Sequence, residues 1–225
     1  MPALFDHIIS LGYDCLPRHF VDMFDLQPKF PVRMPFDGSV TPLDSFFEII
    51  ENGFADYVAE DQIFIEKREN LPDAVRHKKY NIEWTHEKFI DHRFIETNHK
   101  RIAQFEEIVR RDRVLFFMHF MIDGEAERVY SVLRNRYPDS RFKLFIMGNH
   151  LGKGTVEAEH YYRCEVPFPP EPYVWYMDEL KVVEGQEFYR KILNHFLPIY
   201  ESSAERTEAL IAKYGGKIEF DAHLG

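Results

Sequence analysis

The sequence predicts an α/β protein, a single domain over residues 1–225 in which a mixed, partly parallel sheet is flanked by helices in three layers. Two observations support this prediction. A buried strand, a helix and a second buried strand follow one another at 114–119, 125–137 and 142–147, and such βαβ units form parallel strands that helices cover. The composition, 45% hydrophobic and 29% charged residues, supplies enough apolar side chains for one substantial core.

The chain opens with a predicted strand, turn and helix. Residues 7–11 form a short apolar run that breaks at Gly12. In residues 16–24 the apolar side chains recur at helical spacing, and Pro17 fits the first turn of a helix, where no backbone N–H is needed. These features predict a strand whose following turn leads directly into a helix N-terminus.

The middle of the chain predicts an irregular stretch and two amphipathic helices. Four prolines between residues 27 and 42 exclude a long helix there and indicate extended chain. Residues 43–53 have the apolar spacing of a helix that ends at Gly53, and residues 92–111 repeat that spacing with a basic C-terminal end. Between these helices, residues 56–91 mix short apolar runs with charged turns, which is typical of short strands and loops.

The C-terminal part continues the alternation of strands and helices. Residues 161–167 predict a further strand, and the prolines that end at Pro172 predict a loop. Residues 187–201 and 204–214 predict two C-terminal helices. These elements fit beside the βαβ unit in one sheet with helices on both faces.

Charge and hydropathy exclude several classes of partner. The net charge of −10, from 38 acidic and 28 basic residues, repels phosphate backbones, so we expect no nucleic-acid partner. No run approaches the roughly 18 apolar residues that cross a bilayer, and the N-terminus lacks a signal-peptide pattern. We therefore expect a cytoplasmic protein without a membrane contact, acting on an unidentified small molecule or peptide.

The cysteines and histidines do not predict a disulfide, a metal site or a cofactor. Two cysteines, Cys15 and Cys164, do not make a disulfide framework, and a reducing compartment keeps both as thiols. The loop GNHLGKGT at 148–155 has three residues between its glycines, whereas a phosphate loop has four. A metal site is an alternative, although its candidate ligands lack the compact spacing of known metal motifs. These candidates lie near predicted strand ends: His119, His150, His160, Asp123 and Glu159.

Cys15 is the leading candidate nucleophile. It follows the predicted strand and turn in the stretch IISLGYDCLPRHF and stands at the predicted helix N-terminus. Unpaired N–H groups and the positive end of the helix dipole favour a thiolate at such a position, and the thiolate is the reactive form. The alternative is that Cys15 is a small buried apolar residue, a common use of cysteine.

A cysteine nucleophile needs a base for its proton, and two histidines are candidates. His86, in YNIEWTHEKF, lies on a predicted loop or strand end, where functional residues concentrate. His19 lies four residues after Cys15, on the same helical face. The structural alternative for His86 is a half-buried histidine with its hydrogen bonds satisfied.

Four motifs resemble a bacterial family of unknown function described as putative papain-like cysteine peptidases. They are SLGYDC, MPFDGSVTPLDSFFEIIENGFADY, KYNIEWTHEKF and HKRIAQFEEIVRRDRVLFF, and they cover roughly the first half of the chain. The family's cysteine, Pro-Phe-Asp and histidine motifs match Cys15, Asp37 and His86. Two positions depart from it: Gly38 stands where the family usually has Trp, and Glu87 stands where it usually has Asp.

The resemblance implies a division of roles among these residues. Cys15 is the expected nucleophile and His86 the general base, with Asp37 or Glu87 orienting the imidazole. A turn-forming role is the alternative for Asp37. Backbone N–H groups at 13–16 are expected to form the oxyanion site. The remaining candidates, for substrate binding, flank the two reactive side chains: Tyr13, Asp14, His19 and Trp84.

Two functions from different classes are therefore expected. The first is a cysteine-dependent hydrolase or acyl-transfer enzyme that acts on an amide, thioester or ester. The second is a catalytically inactive binding or accessory module that holds a carbohydrate or peptide in an aromatic-lined cleft, with Tyr173, Trp175 and Tyr176 as available rings. A sugar or nucleotide transferase is a third possibility, on fold analogy alone.

Overall fold

The computed structural model describes residues 4–24, 26, 33–69, 73–84, 92–119, 125–148, 155–157, 161–166, 183–200 and 209. Its strands are β1 (His7–Leu11), β2 (Ser39–Val40), β3 (Ile63–Glu66), β4 (Ala74–His77), β5 (Glu83–Trp84), β6 (Arg113–His119), β7 (Arg141–Gly148), β8 (Thr155–Glu157) and β9 (Tyr161–Glu165). Its helices are α1 (Leu16–Met23), α2 (Leu43–Glu51), α3 (His92–Arg111), α4 (Glu125–Arg136) and α5 (Val183–Tyr200), and a 3₁₀ turn covers Glu60–Gln62.

The main sheet has the strand order β1-β6-β7-β9-β8. β1, β6, β7 and β9 run parallel, and β8 runs antiparallel to β9. The predicted βαβ unit is confirmed, because β6 and β7 pair in parallel and α4 lies between them in the chain. β1 pairs with β6 from far away in sequence, with His7 opposite Val114 and Leu11 opposite Met118.

A second, smaller sheet takes β3, β4 and β5 from the region predicted to hold short strands and loops, and β2 from the proline-rich stretch before α2. Its order is β2-β5-β4-β3, and all of its pairs are antiparallel. Short connections can join antiparallel neighbours such as β3, β4 and β5, whereas α2 lies between β2 and β3 in the chain. The small sheet packs on the same side of the main sheet as α2 and α3.

Two apolar clusters lie on opposite faces of the main sheet, as alternation along its strands requires. Ile8, Leu115 and Phe117 belong to the cluster with α1 and α5. Their chain neighbours Ile9 and Phe116 belong to the cluster with α2, α3, α4 and the small sheet. The predicted α/β class, with helices on both faces of a mixed sheet, is therefore confirmed.

Most element boundaries lie within two residues of the predicted ones, but α5 begins at Val183, four residues before its predicted start. α3 spans the predicted range, while β8, only three residues long, has no counterpart among the predicted elements. The predicted helix at 204–214 lies outside the described residues apart from Ala209. Among the described helices, none has the length and apolar character needed to cross a membrane.

Candidate functional site

The candidate site lies where two neighbouring parallel strands end. β1 ends at Leu11 opposite Met118, and β6 ends one residue later at His119. The turn after β1 and the last residue of β6 therefore meet at the carboxyl edge of the sheet, where α/β proteins bind their ligands. Cys15 and His119 reach this edge from distant parts of the chain.

The turn between β1 and α1 has a constrained backbone. Tyr13 has a φ of +81°, a left-handed conformation that is uncommon for a residue with a side chain. Two backbone hydrogen bonds hold it: the Tyr13 N–H donates to the Thr41 carbonyl at 3.0 Å, and the Thr41 N–H donates to the Tyr13 carbonyl at 3.2 Å. A Cβ on Gly12 would lie 3.0 Å from the Thr41 Cβ, so a larger residue would force the two segments to shift by a few tenths of an ångström.

Cys15 occupies the N-cap position of α1 and is half-buried. The Asp14 side chain binds a backbone group of this helix end: its Oδ1 accepts a hydrogen bond from the Leu16 N–H at 3.0 Å. The helix itself begins at Leu16 with Pro17 in its first turn, as predicted, and the His19 N–H donates to the Cys15 carbonyl. Cys15 is thus held at the positive end of a helix, where a thiolate is favoured.

The other Asp14 oxygen contacts His119. Oδ2 of Asp14 lies 2.6 Å from Nδ1 of His119, and the His119 side chain is only 1% exposed. Since an ionised carboxylate only accepts hydrogen bonds, the proton of this bond is on Nδ1. The Tyr13 ring meets the same imidazole edge-on at 6.5 Å between centroids.

Asp37 has a different partner from the one the sequence suggests for it. Its Oδ2 accepts hydrogen bonds from the Arg18 Nη1 at 3.1 Å and from the Met34 N–H at 2.6 Å. Burial raises the pKa of the Asp37 carboxyl to about 6, against the opposing effect of the Arg18 charge. Arg18 also bonds Asp22, so one buried guanidinium serves two carboxylates.

The first two motifs of the resemblance are joined directly by these contacts. The backbone pair between Tyr13 and Thr41 and the close packing of Gly12 connect the cysteine motif to the Pro-Phe-Asp segment. The buried pair of Arg18 and Asp37 connects the following helix, α1, to the same segment. The structure therefore places Asp37 next to α1, where it pairs with Arg18 of the helix that follows Cys15. Its role as an orienting group for a histidine stays a prediction.

The other predicted site residues lie in different surroundings. His86 and Glu87 are outside the described residues. The His19 ring meets the Tyr189 ring of α5 at 6.4 Å. Trp84 is 1% exposed and packs edge-on against Tyr57 and Phe94, so its described contacts are those of a core residue.

The sequence singles out His119 but does not indicate its contact with Asp14. The sequence suggests it only as a metal ligand, and the four residues grouped with it there lie outside the described part of the chain. Its position at the end of a buried strand is visible in the sequence. Its place at the same sheet edge as Cys15 is not, because that depends on the pairing of β1 with β6.

Cys164 differs from Cys15 in the properties that control thiol reactivity. It lies on β9 within the cluster that includes α1 and α5, and it is 0% exposed. Burial raises the pKa of its thiol to about 12. Cys15 is therefore the accessible thiol of the two, and Cys164 is expected to be inert in the folded protein.

Comparison with known proteins agrees with the motifs. A comparison with curated proteins gave no match, and a comparison with solved structures gave none either. A family model matches residues 6–137, which include β1, Cys15, Asp37 and His119 and make up more than half of the chain. The chain therefore belongs to the family described as "Putative papain-like cysteine peptidase (DUF1796)".

Proposed function

We propose that this protein is a cysteine-dependent hydrolase or acyl-transfer enzyme in which Cys15 is the nucleophile. The observation that carries the proposal is the position of Cys15: half-buried, at the N-terminus of α1, and at the carboxyl edge of a parallel sheet. Membership of a family described as cysteine peptidases supports the same kind of chemistry. The strained turn at Tyr13 supports it further, because backbone strain is concentrated at functional sites.

The proposed reaction proceeds through an acyl-enzyme. The Cys15 thiolate attacks the carbonyl carbon of an amide, ester or thioester, and a carbon–sulfur bond forms. The bond to the leaving group then breaks, and the leaving group takes up the proton that the base removed from the thiol. Water, or another acceptor in an acyl transfer, attacks the resulting thioester and releases Cys15.

The resemblance assigns the base and its orienting group within this proposal. His86 is the general base that it implies, with Asp37 or Glu87 as the group that orients the imidazole. The described contacts of Asp37 are with Arg18 and Met34, which favours Glu87 over Asp37 as the orienting group. Within residues 13–16, the N–H groups of Tyr13 and Leu16 donate to the Thr41 carbonyl and to Asp14 Oδ1, so the proposed oxyanion donors are the N–H groups at 14 and 15.

The expected partner is a small molecule or a peptide. The net charge of −10 disfavours a nucleic acid. A catalytically inactive module that holds a carbohydrate or a peptide is the alternative function, and it makes the opposite prediction about Cys15. Such a module has no use for thiol reactivity, so the two functions are separated by covalent chemistry at this residue.

The test is acylation by p-nitrophenyl acetate, an activated ester. We expect a burst of nitrophenolate and an acetyl group on the peptide that contains Cys15, located by mass spectrometry. Cys15→Ser is expected to remove both signals, whereas the matched control Cys164→Ser retains them. Acetylation of wild-type protein at other sites only, at the level of the Cys15→Ser variant, would favour the binding module.

A further inference from the structure

We propose that His119, fixed by Asp14, is the group that accepts the proton of the Cys15 thiol. This inference rests on the proposed function and replaces His86 in the role of base. Two hydrogen bonds of the Asp14 carboxylate support this inference. Its Oδ1 accepts from the Leu16 N–H at 3.0 Å, and its Oδ2 accepts from His119 Nδ1 at 2.6 Å.

One bond of Asp14 spans Cys15 in the chain, and the other reaches His119. Asp14 precedes Cys15 in the chain and Leu16 follows it, so the bond to the Leu16 N–H closes a turn around the cysteine. The second oxygen of the same side chain fixes the imidazole at that turn. Asp14 therefore connects the residue before Leu16, Cys15, with the imidazole at the end of β6 through a single side chain.

The direction of the hydrogen bond sets the chemistry of the ring. Because Asp14 accepts from Nδ1, the neutral imidazole has its lone pair on Nε2. That nitrogen is the one that takes a proton in a cysteine–histidine pair whose other ring nitrogen is held by a carboxylate. The step breaks the S–H bond of Cys15, forms an N–H bond at Nε2, and leaves a thiolate beside an imidazolium.

Burial makes the carboxylate necessary. His119 is 1% exposed and Asp14 17% exposed, and an isolated charge on such a buried ring would be costly. The Asp14 carboxylate balances the positive charge that forms on the imidazole, as the third member of a catalytic triad does. Asp14 is therefore a positioning residue, and its effect on Cys15 passes through His119.

The charged and titratable groups on the neighbouring elements have described partners of their own. Asp14 and Tyr13 contact the imidazole in the described structure. On α1, Arg18 faces Asp22 and Asp37. The His19 ring lies against Tyr189 of α5. The carboxylate of Asp14, in contrast, faces His119 and the helix end that holds Cys15.

The experiment measures the rate of Cys15 alkylation by iodoacetamide against pH, with the modified peptide quantified by mass spectrometry. Only the thiolate reacts, with loss of iodide, so the midpoint of the profile reports how the thiol is ionised. The variants are His119→Gln, Asp14→Asn and His86→Gln. The amide oxygen of the Asp14→Asn variant still accepts a bond from the Leu16 N–H, so this variant removes the carboxylate charge and keeps the turn.

His7→Gln is the matched control. His7 lies at the opposite end of β1 and pairs with Asp112 near the surface, so its loss is expected to leave the midpoint unchanged. Circular dichroism and thermal unfolding show whether each variant is folded. Should His119→Gln fail to fold, Asp14→Asn still tests the proposal, because it leaves the buried imidazole in place.

We expect His119→Gln and Asp14→Asn each to raise the midpoint by about one pH unit or more, the effect of removing an opposite charge, with His86→Gln at the wild-type value. A rise in His86→Gln alone overturns the inference and leaves the proposed function standing with His86 as base. A wild-type midpoint at the ordinary thiol value of about 8.5, unchanged in all variants, overturns the inference and the proposed function together.

Discussion

At the scale of single residues, the turn before Cys15 is held in a conformation that its own side chains do not favour. Tyr13 adopts a φ of +81°, which costs about 1–3 kcal/mol for a residue with a Cβ. The backbone pair with Thr41 offsets that cost. Gly12 permits the pair to form, because any larger residue would meet Thr41.

The first prediction concerns Gly12→Ala. The new Cβ would lie 3.0 Å from the Thr41 Cβ, and we expect the turn to shift at a cost of about 1–3 kcal/mol in the free energy of unfolding. Thermal unfolding measures this loss, and the rate of Cys15 alkylation is expected to fall with it, since the turn positions the thiol. An unchanged melting temperature together with an unchanged alkylation rate would contradict this role of Gly12.

At the scale of elements, the buried pair of Arg18 and Asp37 connects α1 to the segment before β2. Both side chains are almost fully buried, at 8% and 2% exposure. Removing one member of a buried ion pair leaves the other charge without compensation, and that costs more than the pair contributes. The pair therefore fixes where α1, and hence Cys15, lies against the Pro-Phe-Asp segment.

The second prediction is a double-mutant cycle on this pair. Arg18→Met is expected to lower the free energy of unfolding at pH 7 by about 1–3 kcal/mol, because the buried Asp37 loses its hydrogen-bond donor and compensating charge and takes up a proton. Adding Asp37→Asn should restore much of the loss. Urea unfolding measures both.

The matched control is Lys100→Met, which breaks the exposed pair of Lys100 and Glu96 and should cost less than about 1 kcal/mol. An Arg18→Met variant no less stable than this control would contradict the role of the buried pair.

The third prediction concerns pH. The pKa of Asp37 is raised from 3.8 to about 6 by burial, so between these values the folded protein holds a proton that the unfolded chain has released. Stability from this group is therefore present at low pH and lost as pH rises from about 4 to about 6, by about 3 kcal/mol over the full interval.

Asp37→Asn cannot ionise, so this part of the pH dependence should disappear. We expect the melting temperature of Asp37→Asn, relative to that of wild-type protein, to increase between pH 4 and pH 7. Thermal unfolding at a series of pH values gives the comparison. Parallel curves for the two proteins would show that the Asp37 carboxyl does not titrate in this range.

The elements are largely predictable from the sequence, and the site only in part. Apolar spacing and the position of Pro17 place α1 and Cys15 correctly, because both signals are local. The residue that meets Asp14 is set by which strand pairs with β1, and nothing in residues 7–11 specifies β6. His119 is therefore recognisable in the sequence as a strand-end histidine, while its bond to Asp14 emerges only from the tertiary structure.

At the scale of the whole molecule, the fold gives its two thiols different properties. Cys15 lies at the edge of the sheet and Cys164 in the cluster under α5, where Phe196 packs on Phe117 and Phe145. Access to Cys164 therefore requires the packing of this face to open. α5 is tied to the N-terminal part of the chain by the Tyr200 hydroxyl, which donates to the Leu26 carbonyl at 2.7 Å.

The fourth prediction follows from this protection. After Cys15 has been blocked with N-ethylmaleimide, Cys164 is expected to remain unlabelled in native buffer and to react only across the urea transition followed by circular dichroism. Complete burial keeps the reagent away from Cys164, and the raised pKa of its thiol keeps the sulfur protonated and unreactive. Rapid labelling of Cys164 in the absence of urea would mean that the face covered by α5 opens under native conditions.

The most direct measurement of whether Cys15 is an activated nucleophile is its rate of alkylation in the wild-type protein from pH 4 to pH 10. A helix N-terminus favours the thiolate, and the imidazole that we propose as the base would favour it further, so we expect a midpoint well below the free-thiol value of about 8.5. A midpoint at or above that value would show an ordinary thiol and would contradict the assignment of Cys15 as a catalytic nucleophile.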